Sequence, residues 1–292
     1  MTKRVTHGLE FQSSYTFSKT LDTTQGQMNV ADCNSSGNMQ SQNPYNLLLD
    51  KAPACFDVRH NWRFNTIYHA PGIASNGFAS KLTNGWWVSS IVAVQTGFPF
   101  SPIGSSNRSN SATLQAQSER PDLGTQSITT ANGTFVPFDS NTVISPHGDP
   151  NVLVGVDWFN PFMFQLPQTT FSPTAAPVCA TAAGASNPAC YIGRLGNAGR
   201  NILRGPPLRN VDFSVVKDTK VRFLGEGGLI QFRAEFFNIL NHTNLGNPNA
   251  SIFSTDATHT GPYSAAPNAS AGRITTTAAP PRQIQLALKV IW

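Results

Sequence analysis

Hydrophobic and polar residues alternate along six segments of the chain, and this period of two predicts six β-strands. Most of these segments have roughly the 9–11 residues that a tilted strand needs to cross a bilayer. The first five predicted strands lie near residues 9–18, 58–68, 86–95, 210–215 and 230–236. The apolar side of the sixth carries Ile284, Leu286, Leu288, Val290 and Trp292. Most predicted strands therefore have one apolar and one polar face.

The connections between the predicted strands alternate between long and short. Long links at 22–56, 97–207 and 241–281 are separated by a shorter one at 71–85 and a tight glycine-rich turn at 224–228. Outer-membrane barrels have this alternation of long extracellular loops and short periplasmic turns. A soluble β-sandwich also alternates, but a loop of about 110 residues is unusual in a compact domain. The expected fold class is all-β, an antiparallel transmembrane β-barrel segment with long extracellular loops.

Composition agrees with this expectation. Only 12% of the residues are charged, against about 25% in an average globular protein. The net charge of +5 comes from scattered basic residues, which argues against nucleic-acid binding. A run of about 18 apolar residues, which would predict a transmembrane helix, is absent from the sequence. Six strands are too few to enclose a lumen, since about eight are the small limit. We therefore expect about six to eight strands of a larger barrel.

The start of the sequence is basic but lacks the apolar stretch of a secretory signal peptide. A predicted strand begins at Leu9, soon after Met1. We therefore expect residues 1–292 to be the C-terminal part of a longer protein, with the remaining barrel strands before Met1.

Charged side chains fall on the polar faces of the predicted strands. A charge facing lipid costs about 2–4 kcal/mol at the bilayer midplane, so these residues are expected to face a wet lumen. They either pair with one another or contact a passing solute. The candidate lumen-facing residues are Glu10, Arg59, Arg63, Asp212, Arg233, Glu235 and Lys289. Lys217 lies on the apolar side near a strand end, where its long side chain can reach water.

Four cysteines form two local pairs in loop-like sequence, Cys33 with Cys55 and Cys179 with Cys190. Neither pair has CxxC spacing, and zinc-finger histidines are missing. These pairs are candidate disulfides that pin exported loops; unpaired thiols are the alternative.

Other chemistry is sparse in the sequence. GxSxG, Walker and GxGxxG motifs are absent, so we expect no enzyme activity, no cofactor and no metal site. Residues 157–164 are rich in aromatic side chains, which either stack on sugar or peptide ligands or pack over the barrel mouth.

Several short motifs, taken in order, resemble the C-terminal barrel of the Oar-like TonB-dependent transporters, an outer-membrane receptor family common in acidobacteria. The motifs are KRxxHGL at 3–9, SYTFSKxLD at 14–22, FDVRH at 56–60, QTGFPF at 95–100, DWFNP at 157–161, GNAGRN at 196–201, RGP at 204–206, NVDFS at 210–214, QFRAEFFN at 231–238 and PRQIQ at 281–285. The resemblance implies a barrel of roughly 22 strands around a plug. In the family, a regulatory-like domain and the plug precede the barrel, and 1–292 contains neither.

The resemblance implies a truncated fragment located in the bacterial outer membrane, where it forms barrel wall, lumen lining and extracellular loops for solute uptake. The implied partners are outer-membrane lipid, the barrel-assembly machinery, the missing plug and strands, and indirectly the TonB system; the solute is unknown. The apolar face of 284–292 is the expected assembly signal. The alternative is a surface-exposed barrel adhesin or a passive porin that binds polysaccharide through its loops.

Overall fold

The computed structural model describes residues 2–4, 8–23, 41–43, 45–72, 78–104, 119–139, 157–167, 195–221, 223, 225–253 and 266–292. Strands dominate these ranges, with one six-residue α-helix, α1 (Phe78–Thr83), and two 3-10 helices, Leu47–Asp50 and Pro161–Met163. Every pairing between described strands is antiparallel. Of the described helices, none has the length and hydropathy to span a membrane. The prediction of an all-β antiparallel fold is confirmed.

The described strands are, in chain order, β1 (Thr2–Arg4), β2 (Leu9–Phe17), β3 (Leu21–Asp22), β4 (Ala52–Pro53), β5 (His60–His69), β6 (Trp86–Gln95), β7 (Pro99–Phe100), β8 (Asp122–Leu123), β9 (Ile128–Thr130), β10 (Gly133–Phe135), β11 (Phe164–Gln165), β12 (Leu203–Arg204), β13 (Leu208–Lys220), β14 (Leu229–Phe237) and β15 (Gln283–Ile291). Seven of them form one sheet in the order β1-β2-β5-β6-β13-β14-β15. The other eight form four two-stranded ribbons: β3 with β4, β7 with β12, β8 with β11 and β9 with β10. The six predicted strands are all in the seven-stranded sheet, and β13 is longer than predicted.

The register of the sheet places the apolar sides of its strands on one face. Tyr15 lies opposite Trp62, and Phe232 lies opposite Leu288. Because neighbouring residues of a strand point to opposite faces, these pairings align the alternation of one strand with that of the next. We call the two sides the apolar face and the polar face. Residues on the apolar face include Leu9, Phe11, Tyr15, Phe17, Trp62, Phe64, Tyr68, Val88, Val92, Val211, Phe213, Val215, Ile230, Phe232, Phe236, Ile284, Leu286, Leu288 and Val290.

The sheet is open rather than closed, with β1 and β15 at its two edges. On β15 the apolar face is strongly exposed, with Leu286 at 66% and Leu288 at 68%. An unpaired edge of this kind presents backbone groups that can bond to another strand. Both edges of the sheet are therefore available for pairing with a further strand.

The long links gather at one end of the sheet and fold together. We call this region the loop cap: the described residues of 18–57, 97–139, 157–207 and 238–282. It contains the hydrophobic core cluster, formed by Phe100, Ile103, Phe159, Met163, Phe164, Leu166, Ala198, Leu203, Ala250, Ile252 and Phe253. In the described part of the seven-stranded sheet, by contrast, the buried apolar side chains are Ala93 and Val216. The main core therefore lies in the cap and not against the sheet.

Candidate functional site

The polar face of the sheet carries a network of charged and amide side chains. Arg233 Nη2 lies 3.1 Å from Glu235 Oε1, two residues along the same strand. The Asp218 carboxylate accepts a bond from Trp87 Nε1 (3.0 Å) and another from Gln231 Nε2 (2.8 Å), which come from the strands on either side. These contacts are half-buried or exposed, so they lie at a wet surface where each pair contributes little to stability.

The structure brings most of the candidate lumen-facing residues to this one face. Glu10, Arg63, Asp212, Arg233, Glu235 and Lys289 all have the polar-face register. Arg59 lies just before β5 and is exposed.

Two of these residues make contacts that fix their position on the face. The Asp212 carboxylate accepts bonds from Asn210 Nδ2 (2.8 Å) and from the backbone N–H of Asn238 (2.9 Å). Arg63 Nη2 donates to Gln95 Oε1 at 2.9 Å. Their roles toward a lumen or a solute stay a prediction.

Aromatic side chains occupy both ends of the apolar face. At the cap end, the Tyr15 hydroxyl and His60 Nδ1 are 2.7 Å apart, and the Phe17 ring lies 5.1 Å from the His60 ring. At the other end, Trp86 Nε1 donates to the carbonyl of Leu82 at 2.7 Å, beside Tyr68 on β5. Eight residues separate His60 from Tyr68, or about 27 Å at the rise of a β-strand. At the tilt of about 35–45° of barrel strands, this length spans roughly 20 Å of the bilayer, which is comparable with the roughly 25 Å apolar band between the aromatic girdles of outer-membrane barrels.

Lys217 has the apolar-face register of β13, and it is buried. Its amine bends to the end of the strand, where it donates to the carbonyls of Asn84 and Asp218 and to Thr219 Oγ1. The amine also lies 5.8 Å from the centre of the Trp86 ring. These partners compensate the charge, in the way expected of a long side chain near an interface.

β15 contributes its alternate residues Ile284, Leu286, Leu288 and Val290 to the exposed apolar face, and Trp292 follows it at 86% exposure. Their role as an assembly signal stays a prediction.

Ion pairs between arginine and aspartate join the separate links of the loop cap. Arg120 Nη2 lies 2.6 Å from Asp50 Oδ1, and both side chains are buried. Arg200 pairs with Asp22, and its Nε donates to the carbonyl of Asp50 at 3.0 Å. Because a buried charge without a partner is very costly, each pair ties one link firmly to another. The alternation of the strands gave no signal for this network, although Asp22 and Arg200 lie in two of the motifs, at 14–22 and 196–201.

Arg204 forms a second junction between links. Its guanidinium pairs with the Asp57 carboxylate and donates to the carbonyl of Gly97 at 3.1 Å. Its own carbonyl accepts a bond from Trp158 Nε1 at 2.7 Å. These contacts bring together four of the motifs that carry the family resemblance, at 56–60, 95–100, 157–161 and 204–206. The motifs therefore correspond to joints of the cap, which is how sequence reasoning could have located it.

Electrostatics at these joints differ between two aspartates. Burial raises the pKa of Asp57, but the bond from the backbone N–H of Thr20 and the Arg204 guanidinium outweigh it, so that its pKa lies below the usual value. For Asp157, burial prevails over the attraction of Arg273, 3.5 Å away, and its pKa is raised. The charged form is thus favoured at the first joint and disfavoured at the second.

The aromatic segment at 157–164 packs into the cap. Phe159 and Phe164 are fully buried, with their rings at 90° and 6.1 Å apart. Asn160 Oδ1 accepts a bond from the N–H of Phe162 at 3.0 Å and so caps the Pro161–Met163 helix. Of the two sequence-based alternatives, the structure therefore agrees with packing for these two phenylalanines.

Cys55 is buried and takes part in a disulfide. Cys33, Cys179 and Cys190 lie outside the described residues, so the predicted pairing of the four cysteines stays a prediction. The described ranges contain no group of three or more His, Cys, Asp or Glu side chains arranged to hold a metal ion.

The family model for the outer membrane beta barrel domain matches residues 1–285, a range that includes β1 to β14 and the start of β15. The chain matches no curated protein and no solved structure.

Proposed function

The chain belongs to the outer membrane beta barrel domain family, and from that premise we propose that it is part of a TonB-dependent transporter of the Oar-like kind. The protein is located in the bacterial outer membrane. In the proposal, its sheet forms barrel wall and lumen lining, and its cap forms the extracellular surface through which a solute is taken up.

The two-faced register of the seven-stranded sheet is the observation that carries the proposal. A wall strand must satisfy its backbone within the sheet and present different chemistry to lipid and to water. The apolar face, with its aromatic residues at both ends, suits lipid. The polar face, with Arg63, Asp218 and Arg233, suits a wet lumen. The edges at β1 and β15 would pair with further strands of the wall.

The loop cap favours a transporter over a passive porin. A gated transporter must hold an extracellular surface in one shape in order to select a solute. The links at 97–207 and 241–281 share a hydrophobic core, and buried ion pairs tie the link at 22–56 to the link at 97–207, so that together they provide such a shape. The motifs that resemble Oar-like transporters also coincide with the joints of this cap, at Asp57 and Arg204.

Solute movement in this proposal requires no bond-making chemistry by the chain. Charged side chains of the polar face would either pair among themselves, as Arg233 and Glu235 do, or contact the solute in transit. The partners would be outer-membrane lipid, the barrel-assembly machinery, a plug, and the TonB system acting through that plug.

An uptake experiment in the source bacterium tests the proposal. Wild-type and gene-deletion cells would be given a ferric siderophore, cobalamin, maltohexaose and tetra-alanine, each with and without a protonophore. A TonB-dependent transporter predicts that uptake of one class falls in the deletion strain and, equally, in wild-type cells with the protonophore. Uptake that needs the gene but ignores the protonophore would instead identify a passive porin. Unchanged uptake with lost adhesion to polysaccharide would identify an adhesin.

A further inference from the structure

Three exposed basic residues lie on the apolar side of the sheet at its cap end, whereas the buried Lys217 lies at the opposite end. Arg209 lies opposite Val94 in the register of β13 and β6, which places it on the apolar face, and it is exposed. Lys19 lies two residues beyond Phe17, and Arg282 lies two residues before Ile284, so both continue the alternation of their strands. Both are also exposed. We call Lys19, Arg209 and Arg282 the rim cations.

Backbone hydrogen bonds continue just beyond the ends of the strands next to which Lys19 and Arg282 lie. The backbone N–H of Ser18 donates to the carbonyl of Arg59 at 3.1 Å, one residue past the end of β2. The backbone N–H of Arg282 donates to Asn241 Oδ1 at 3.1 Å. The rim cations therefore stand on ordered backbone directly above the apolar band.

Carboxylates do not neutralise this rim within the described residues. The acidic residues of the seven-stranded sheet, Glu10, Asp212, Asp218 and Glu235, all have the polar-face register. In the cap, Asp22 pairs with Arg200 and Asp57 pairs with Arg204. The rim is consequently a line of positive charge beside apolar and aromatic side chains.

We propose that the rim cations bind the phosphate groups of anionic lipids in the leaflet next to the loop cap. Two strand spacings and two residues along the strand separate Arg209 from Arg282, or roughly 12 Å. Three strand spacings and four residues along the strand separate Lys19 from Arg209, or roughly 20 Å. Cations at these intervals meet successive lipid headgroups, while Tyr15 and Trp62 below them lie at the level where aromatic rings prefer to sit. Each cation near an anionic lipid surface adds to the attraction. This inference rests on the proposed orientation of the apolar face toward lipid.

Quenching of tryptophan fluorescence by brominated lipids tests the proposal. The full chain would be assembled into zwitterionic vesicles that contain a minor fraction of brominated phosphatidic acid or brominated phosphatidylcholine. With the other four tryptophans replaced by phenylalanine in every variant, Trp62, 38% exposed on the apolar face, reports the lipid near the rim. We expect the wild type to prefer phosphatidic acid at least about five-fold. The preference should fall in 0.5 M salt, which screens exposed charges, and should persist in 10 mM inorganic phosphate, which a site for free phosphate would not tolerate.

The decisive variant combines Lys19→Gln, Arg209→Gln and Arg282→Gln, and it should lose the preference. A matched control, Lys51→Gln with Lys220→Gln and Lys289→Gln, removes the same charge from exposed positions outside the rim and should keep the preference. A third variant retains the charge by combining Lys19→Arg, Arg209→Lys and Arg282→Lys, and it should keep the preference for phosphatidic acid. It tests the proposal even if the neutral variant assembles poorly.

Two failures are distinguishable in this experiment. If brominated phosphatidylcholine quenches Trp62 but phosphatidic acid is not preferred, or if the rim variant keeps the wild-type preference, the lipid-phosphate site is wrong and the orientation stands. If neither lipid quenches Trp62, the apolar face does not meet lipid and both ideas fail.

Discussion

The seven-stranded sheet and the loop cap bury their apolar residues in opposite ways. The cap encloses a core with fully buried rings such as Phe159 and Phe164, whereas the sheet leaves Leu286 and Leu288 about two-thirds exposed. Burial of apolar surface is the main force that stabilises a folded chain. The cap therefore supplies its own apolar environment, while the sheet needs one from outside. This difference separates the part of the chain that is built like a soluble domain from the part that is built as a wall.

The largest expected effect comes from removing one ring in each region. Phe164→Ala should destabilise the cap by about 3–5 kcal/mol, because it empties a fully packed site. Phe232→Ala, at a position 40% exposed on the apolar face of β14, should cost much less in detergent. Hydrogen exchange of cap and sheet amides would separate the two effects. Equal losses at both positions would remove the distinction between the regions.

Ion pairs offer a second comparison of the same kind. Arg120→Gln should destabilise the cap by about 3–5 kcal/mol, since it leaves the buried Asp50 carboxylate without its charged partner. Arg233→Gln breaks a pair in which the arginine is 38% exposed, and such pairs contribute only about 0–1 kcal/mol. Chemical unfolding, monitored through the protease resistance of the cap, would measure the change in stability of both variants. A larger loss from Arg233→Gln would contradict the expectation.

The two faces of β15 can be compared through adjacent residues. Leu286→Arg should cost about 2–4 kcal/mol on folding into vesicles, since it places a charge on the proposed lipid face near the middle of the strand. Gln285→Arg, one residue earlier on the polar face, should be nearly neutral. The folded fraction in lipid vesicles, followed by heat-modifiable mobility in gels, gives the answer. Similar folded fractions for the two variants would refute the assignment of faces.

The smallest expected effect is a pH dependence confined to the cap. The pKa of Asp57 is lower in the folded protein than its ordinary value of about 3.9. Its stabilising contribution is therefore complete above the unfolded-state pKa and is lost as the pH falls through the folded-state pKa. The raised pKa of Asp157 has the opposite sign, since protonation of that residue favours the folded cap.

Hydrogen exchange of cap amides between pH 5 and pH 3 would measure this dependence. Asp57→Asn should reduce the loss of cap stability as the pH falls, and Asp157→Asn should increase it. The same slope in both variants would show that other groups control the response.

The sheet was predictable from sequence because its signal is local. Each strand alternates within about ten residues, so positions such as Phe232 and Arg233 reveal their faces without knowledge of the rest of the fold. Prediction was less complete where alternation fails, as at Val216 and Lys217, beyond which β13 continues to Lys220. The alternation within a strand does not indicate which strands lie at the open edges of the sheet.

The cap was not predictable in the same way because its contacts are distant in sequence. Arg204 and Asp57 are 147 residues apart, and Arg120 and Asp50 are 70 apart. No periodicity marks such partners. Their one signal was indirect, since several of the short motifs shared with a known family turned out to lie where the links meet. The composition of residues 157–164 marked the segment as aromatic but did not show which residues its rings contact. The choice between packing and ligand binding therefore remained open.

The most direct measurement is a cysteine scan of 230–235 on β14, with the full chain assembled in lipid vesicles. If lipid covers one face of this ribbon and water the other, a water-soluble maleimide should label Gln231→Cys, Arg233→Cys and Glu235→Cys. A quencher in the bilayer should reach fluorophores at Ile230→Cys, Phe232→Cys and Ala234→Cys. Equal labelling at odd and even positions would show that the two faces share one solvent and would contradict the proposed wall.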